Sequence, residues 1–303
     1  MPRSELVEKI RGLRAEKDAV ILAHNYQPAE IQDIADHIGD SLDLSRLAST
    51  LPNNIIIFCG VHFMAETAAI LSPDKRIILP DPDAGCPMAD MLDAEQLKAF
   101  QEKHPGSVTI MYVNSTAAVK ALTDVCCTSA NVVELMDSVP KDNDIIFGPD
   151  RYLGGWAASR TGRTVHLWNG YCPSHQRILP EEIRALREEF PDAVVMVHPE
   201  VNPKIAAEAD ILLGTGGMIR YAGKSSASTF IVGTEVGMIY RLAKLYPDKR
   251  FLPASPNALC PNMKKISLEK IARSLETLQP VIAVDQETAS AARLSIERMI
   301  GTS

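Results

Sequence analysis

The chain has 303 residues, 46% of them hydrophobic, enough to bury a sizeable core and to form two average domains or several small ones. With 31 Lys+Arg against 38 Asp+Glu the net charge is −7 and no long basic run occurs, which argues against nucleic acid and membrane surfaces as partners. No apolar run approaches the roughly 18 residues that span a bilayer, and 6 cysteines without a secretory signal point to a reducing, cytoplasmic setting in which thiols serve metals or catalysis.

The first segment, about Ser4 to Glu16, predicts an amphipathic helix and not a signal peptide, because it lacks an unbroken apolar core. Short Val- and Ile-rich runs follow: "AVILAH", "NNIIIFCG", "VTIMYV", "DIIFG", "AVVMVH" and "TFIVG". They alternate with helical patterns such as "DAEQLKAFQEK" and "PEEIRALREEF", a rhythm that predicts α/β units with buried parallel strands. Two further helical patterns, "SLEKIARSLETL" and "ETASAARLSIERMI", are expected to pack back onto the first unit and close a ring.

The units repeat three times. "AHNYQ", "MYVNS" and "VHPE" align at steps of 88 and 86 residues, bringing His24, Tyr112 and His198 into register, and likewise Tyr26, Asn114 and Glu200. The same steps relate Asp36, Asp124 and Asp210, and Ser41, Ser129 and Thr215. "GCP", "YCP" and "LCP" place Cys86, Cys172 and Cys260 at steps of 86 and 88, each after a short strand candidate ("RIILPD", "TVHLWN", "RFLPA"). The expected fold is three homologous small α/β, three-layer domains with parallel sheets around a pseudo-threefold axis. Their boundaries are expected at 1–85 (with 263–303 packing back), 86–172 and 173–262.

The marked polar residues stand where an apolar strand stops, the edge at which parallel α/β sheets bind ligands, so twelve positions could face one central pocket. Three thiolates, one per domain, form an incomplete shell suited either to a zinc ion with a water or to an iron–sulfur cluster with one open iron, and spacing alone does not decide between them. A lone cysteine is most often a small buried hydrophobe, which suits Cys59, Cys126 and Cys127, whose repeat counterparts are mostly apolar. Ser41, Ser129 and Thr215 head helical stretches, where a hydroxyl caps the helix and its free N–H groups attract anions. Gly216 and Gly217 in "TGGM" would allow close backbone approach there. His37, His62, His104, His166 and His175 are expected to be structural, His62 being the candidate exception because it aligns with Asp150 and Glu235.

"ILAHNYQPAEIQDIADHIGDSLDLS", "GVHFMAETAAIL", "MYVNSTAAVKALTDVCCTSANVVE", "HPE", "TGGMI" and "CPNMKKI" resemble the quinolinate synthase family, cytoplasmic iron–sulfur enzymes of NAD biosynthesis. The resemblance covers almost the whole chain and implies the same trilobal architecture. It implies condensation of iminoaspartate (iminosuccinate), supplied by L-aspartate oxidase, with dihydroxyacetone phosphate to give quinolinate, phosphate and water. Cys86, Cys172 and Cys260 would hold one [4Fe-4S] cluster per chain, its open iron acting as a Lewis acid. His24, Ser41, Tyr112, Asn114, Ser129, His198, Glu200 and Thr215 would line the substrate site. Tyr26 and Glu200 would be the proton-transfer pair, with Tyr112 and Lys224 needed in later steps. Lys224 lies in "YAGKSSAS", expected to be a loop outside the repeat. One departure is that some members carry Cys-x-x-Cys-x-x-Cys at the third ligand, whereas here Cys260 is followed by Pro261, Asn262 and Met263. The other readings are a three-cysteine reductase of the isoprenoid pathway, which would need an electron donor, and a non-enzymatic three-repeat binding scaffold.

Overall fold

The computed structural model describes residues 2–301. Twelve strands form three separate four-stranded sheets, all parallel. The first holds β1 (Ala19–His24), β2 (His37–Gly39), β3 (Ile55–Cys59) and β4 (Arg76–Ile78). The second holds β5 (Val108–Tyr112), β6 (Val125–Cys127), β7 (Ile145–Gly148) and β8 (Val165–Leu167); the third holds β9 (Val194–Val197), β10 (Ile211–Leu212), β11 (Thr229–Gly233) and β12 (Arg250–Pro253). Strand order is the same in each: β2-β1-β3-β4, β6-β5-β7-β8 and β10-β9-β11-β12. The threefold repeat in the sequence is thus a threefold repeat of topology.

The strands read as unbroken apolar runs because helices cover both faces of each sheet. β1 is buried at all six positions, and Ile21 and Leu22 are wholly inaccessible. Two polar clamps recur at the repeat spacing. The carboxylates of Asp36, Asp124 and Asp210 accept the backbone N–H of Ile21, Thr109 and Val195 at 2.9, 2.8 and 2.8 Å. Their own N–H groups return bonds to the same residues' carbonyls, so each Asp locks the short second strand beside the first. The second clamp was not read from the sequence. Lys75, Arg163 and Lys249 donate to the last carbonyls of the helices Ser41–Thr50, Val132–Ser138 and Thr215–Lys224. A cation at a helix C-terminus satisfies orphan carbonyls and opposes the helix dipole.

The first and second units share one continuous apolar core with the C-terminal helices, while the third carries two smaller cores on opposite faces of its sheet. The helix Leu268–Thr277 packs on the N-terminal helix Arg3–Glu16 and β3. The helix Gln286–Gly301 lies across both the first and second units, against the helices His62–Leu71 and Ala117–Ala121 and strand β6. Ser295 donates to Lys120 O at 2.9 Å and Arg293 to Ile70 O at 2.8 Å, tying that helix to both. No helix among the described residues is long and apolar enough to cross a membrane.

Candidate active site

The carboxyl edges of the three sheets meet around a partly open cavity of about 80 Å³, a size for small molecules and not for a polymer. All twelve register positions line it: the three cysteines, His24, Tyr112, His198, Tyr26, Asn114, Glu200, Ser41, Ser129 and Thr215. Lys224 does not.

His24 closes β1 and His198 follows β9, and both make the same local bond. His24 Nδ1 accepts the N–H of Tyr26 at 3.2 Å and His198 Nδ1 accepts the N–H of Glu200 at 3.3 Å. Nδ1 being an acceptor, Nε2 carries the proton in each ring. Burial, with His198 nearby, pushes His24 down to about 3, and burial pushes His198 down to about 4 against the pull of Glu200. Both are therefore neutral N–H donors near pH 7.

Tyr112, the last residue of β5, takes the corresponding place in the second unit and donates its hydroxyl to Glu200 Oε1 at 2.6 Å. Burial acts to raise the Glu200 carboxyl, but His198, His175 and the hydrogen bonds of His175 and Tyr112 outweigh it and hold the group well below the usual carboxylate range. Burial and the Glu200 charge push both Tyr26 and Tyr112 well above the usual phenol range. The cavity thus holds an ionised acid beside two protonated phenols, the polarity that general acid–base chemistry uses.

The hydroxyl residues are not helix caps. Asp40 caps the helix Ser41–Thr50, accepting from Leu42 N and Asp43 N, and Gly214 stands at the cap of Thr215–Lys224. Ser129 lies in the turn before Val132–Ser138, and Asn131 at that cap turns its side chain back to Thr128 N. A carboxylate one residue earlier outcompetes Ser41 for the N–H groups, and this frees the hydroxyl. Among the described residues neither Ser41 nor Ser129 gives its hydroxyl to a protein partner, while Thr215 Oγ1 accepts from Asn25 Nδ2 at 3.0 Å. The third unit's helix end touches both others through glycines. A Cβ on Gly214 would lie 2.5 Å from Ser129 Oγ, and one on Gly216 2.7 Å from Asp40 Oδ2. Gly217 makes no such approach between units; its would-be neighbour is Leu213 in its own chain segment.

Each Cys-Pro opens a tight turn, where proline sets φ and no N–H is needed. The turns aim backbone N–H groups at the sulfurs: Met88 and Ala89 at Cys86, His175 at Cys172, Asn262 and Met263 at Cys260. Such bonds stabilise a ligated thiolate. Burial raises all three thiols, Cys86 to about 12, so the metal-free groups are neutral and would release protons on binding a metal. Cys59, Cys126 and Cys127 are fully buried in the apolar core, as their counterparts suggested.

Several site residues escaped the sequence reading. His175, expected to be structural, is 2% exposed and central: its Nδ1 lies 3.0 Å from Cys172 Sγ and 2.9 Å from Glu200 Oε2, and its ring stacks on His198 at 4.9 Å. It follows Cys172 by three residues where the other copies carry Ala89 and Met263, so its signal was a break in the repeat. One ligand atom each from Cys172, His175 and Glu200 lies within 4.8 Å of the others, a candidate metal-binding group. Glu235 is buried, accepting from Cys260 N at 3.1 Å and pairing with Lys264 at 2.8 Å. Its counterpart Asp150 is buried too, its Oδ1 accepting the N–H groups of Tyr152 and Leu153 at the head of the next helix. His62, in the same register position, is instead 45% exposed beside Glu66 and is no exception among the structural histidines. Lys224 is exposed as the last residue of a regular helix, aligned with Thr50 and Ser138, so the expected loop begins only after it, at Ser225.

A sequence model described as quinolinate synthetase A protein (NadA) matches residues 8–301. The chain belongs to the quinolinate synthetase A family. A quinolinate synthase of Dehalococcoides mccartyi (strain CBDB1) is 51% identical over 300 residues, covering 99% of both chains. Those of Geotalea uraniireducens and Methanosarcina barkeri are 49% and 46% identical over 99% of this chain and 98% of theirs. This is an enzyme family of NAD biosynthesis, and the cavity residues come from all three units of a chain matched end to end by its relatives.

Proposed function

We propose that the cavity condenses iminoaspartate with dihydroxyacetone phosphate to form quinolinate, phosphate and water, in the cytoplasm and in functional connection with an L-aspartate oxidase. Carbon–carbon bond formation with loss of phosphate and water balances without an oxidant or reductant, so the site needs acids, bases and a Lewis acid but no electron donor. The observation that carries this reading is the convergence of three Cys-Pro turns on the cavity that also holds Glu200 and the two phenols. The units that supply those turns are taken as 1–85 (with 263–303), 86–172 and 173–262.

Cys86, Cys172 and Cys260 would hold one [4Fe-4S] cluster, which would supply an open iron as Lewis acid toward a substrate hydroxyl or carboxylate. The donor set fits that group: three thiols with backbone N–H donors. Among the described residues the three sulfurs do not form a set within 4.8 Å, which is wider than a single tetrahedral zinc draws its ligands.

The substrates are polyanions, yet among the described residues no Lys or Arg lines the cavity. Binding falls to neutral donors and helix ends: the Nε2–H groups of His24 and His198, the hydroxyls of Ser41, Ser129 and Thr215, and the N-termini that follow Asp40 and Gly214. Asn114 Oδ1 is buried without a partner and suits an imine or hydroxyl hydrogen of the substrate. Tyr26 and Glu200 move protons during phosphate loss and isomerisation, and Tyr112 holds Glu200 while facing the substrate. Lys224 would reach the substrate only after its helix end moves toward the cavity.

The test is anaerobic purification with iron and sulfide quantified, and quinolinate assayed from iminoaspartate and dihydroxyacetone phosphate. About four iron and four sulfide per chain with quinolinate formed, and both lost in Cys172→Ala, are expected. An iron-replete protein that forms no quinolinate overturns the reading.

A further inference from the structure

Among the described residues, Lys120 is the one basic chain-end that is fully buried, at 0% exposed. Its ammonium donates to Ser115 O and stands 5.4 Å from the centroid of the Phe63 ring. Glu66, the one carboxylate whose charge acts on it, turns instead to Ala117 N at 3.2 Å and toward His62 at 3.8 Å. Burial lowers the Lys120 amine, with Cys126, Glu66 and Cys86 opposing, while burial raises the Cys126 thiol and keeps it neutral. No group among the described residues forms an ion pair with this ammonium.

The repeat shows that its bond to Ser115 needs no charge. Gln32 holds the same register place in the first unit, 88 residues earlier, and its Nε2 donates at 2.9 Å to the carbonyl of Gln27, the counterpart of Ser115. The third unit carries Ala206 there. A neutral amide makes the clamp in one copy and a methyl group does without it in another. What Lys120 adds is a buried positive charge, and such a charge is costly unless an anion lies opposite. The charge stands one ring behind the cavity wall. Phe63 lines the cavity, as does Asn114, the residue before Ser115, and Phe63 and Cys86 together also line a second pocket on the outer side with His62 and Glu66.

We propose that the Lys120 ammonium is the counter-charge of the cluster held by Cys86, Cys172 and Cys260. The inference rests on the three-cysteine cluster of the proposed function and deepens it. Three thiolates outweigh the positive charge of an oxidised [4Fe-4S] core, and one further electron makes the group more negative. A buried cation therefore stabilises the bound group, and its reduced form most. Without the cluster Lys120 is a charge with no close partner. Its removal should then help the metal-free protein and harm the loaded one, whereas a packing or clamping role predicts harm to both.

The test uses Lys120→Gln, which reproduces the clamp of the first unit without the charge, and Lys120→Met, which keeps the stem and removes clamp and charge together. Each is purified anaerobically beside the wild type. Iron per chain, the rate of iron loss to a chelator and the cluster midpoint potential are measured on loaded protein, and denaturant midpoints on metal-free protein. Both variants should lose iron about tenfold faster, with a potential lower by about 59 mV, which is tenfold in favour of the oxidised form. Metal-free Lys120→Gln should unfold at the same denaturant concentration as the wild type or a higher one. A Lys120→Gln protein with the potential and iron retention of the wild type overturns the proposal. So does a lower metal-free midpoint in Lys120→Gln, because the ammonium would then serve Glu66 or the fold. A wild type that holds no iron overturns the cluster and this inference with it, while an iron-replete wild type beside an unaltered variant overturns the counter-charge alone.

Discussion

Gly216→Ala puts a methyl group where the Asp40 carboxylate already stands, its Cβ 2.7 Å from Oδ2. Asp40 cannot simply turn away, since Oδ1 accepts Leu42 N and Asp43 N at 3.0 Å each and losing that cap costs about 1 kcal/mol. Alanine in place of glycine within the helix Thr215–Lys224 returns up to about 1 kcal/mol. The two nearly cancel, so global stability should change by less than about 1 kcal/mol. The displacement does not cancel. Ordinary contact begins at 3.4 Å, and 3.4 − 2.7 leaves 0.7 Å to be found by moving the helix end or the carboxylate. Thr215 is the neighbouring residue, held at 3.0 Å from Asn25, and a misplacement of about 1 Å in substrate-holding groups costs on the order of 100-fold in rate. The assay is a denaturant midpoint beside quinolinate kcat/KM on iron-replete protein. The midpoint should barely move while kcat/KM falls about 100-fold, and adding Asp40→Ser, a shorter cap, should restore most of the rate. A Gly216→Ala enzyme with wild-type kcat/KM refutes the reasoning, because the convergence of helix ends would then have no bearing on substrate.

Stability should also depend on pH through the buried histidines. Unfolded histidine titrates near about 6.5, whereas burial holds His24 at about 3 and His198 at about 4. The unfolded chain therefore takes up these protons first, so stability is full above about pH 6.5 and is lost progressively as pH falls from there to the folded values. Between pH 8 and pH 5 each histidine should remove roughly 2 kcal/mol, read from denaturant midpoints at the two values. His24→Asn should remove about half of that dependence, and a midpoint indifferent to pH would contradict it. Glu235→Ala leaves Lys264 and the Cys260 N–H without their carboxylate. Breaking such a pair costs about 3 kcal/mol, so iron retention should fall severalfold, while His62→Gln at the same register position should leave iron and rate within about twofold. Equal sensitivity of the two would mean that the register, and not the burial, sets their roles.

The sheets were legible because parallel strands covered on both faces must be apolar throughout, and "AVILAH" or "TFIVG" has no other comfortable place. The clamp of Asp36, Asp124 and Asp210 was visible as a register without a role; the role needed the N–H of a residue fifteen positions earlier. Lys75, Arg163 and Lys249 keep the repeat spacing too, but a Lys–Arg–Lys set among 31 basic residues carries no contrast. Lys224 was misread because "YAGKSS" has the composition of a turn, while tertiary packing of Tyr221 and Ala222 in the third unit's core carries the helix as far as Lys224. Ser41 was misread as a cap because the competing acceptor, Asp40, had not been weighed.

His175 and Thr234 were missed for a deeper reason. Alignment of repeats finds what three units share, and an asymmetric reaction depends on what they do not. The three cysteines are identical in all copies, as a single ligand set would require. The positions that would face substrate have diverged: His24, Tyr112 and His198 in one set, Tyr26, Asn114 and Glu200 in the other. Two unlike substrates joined at one bond need unlike partners on each side, so a threefold scaffold can carry this chemistry only by departing from its own symmetry. Buried polar departures include His175 beside Glu200, Thr234 beside Tyr26, and Asn25, where the other copies carry Val113 and Pro199, bonded to Thr215. Divergence from the repeat, joined to burial and to a polar atom that the fold does not require, is therefore the stronger guide to chemistry in this chain than the repeat itself.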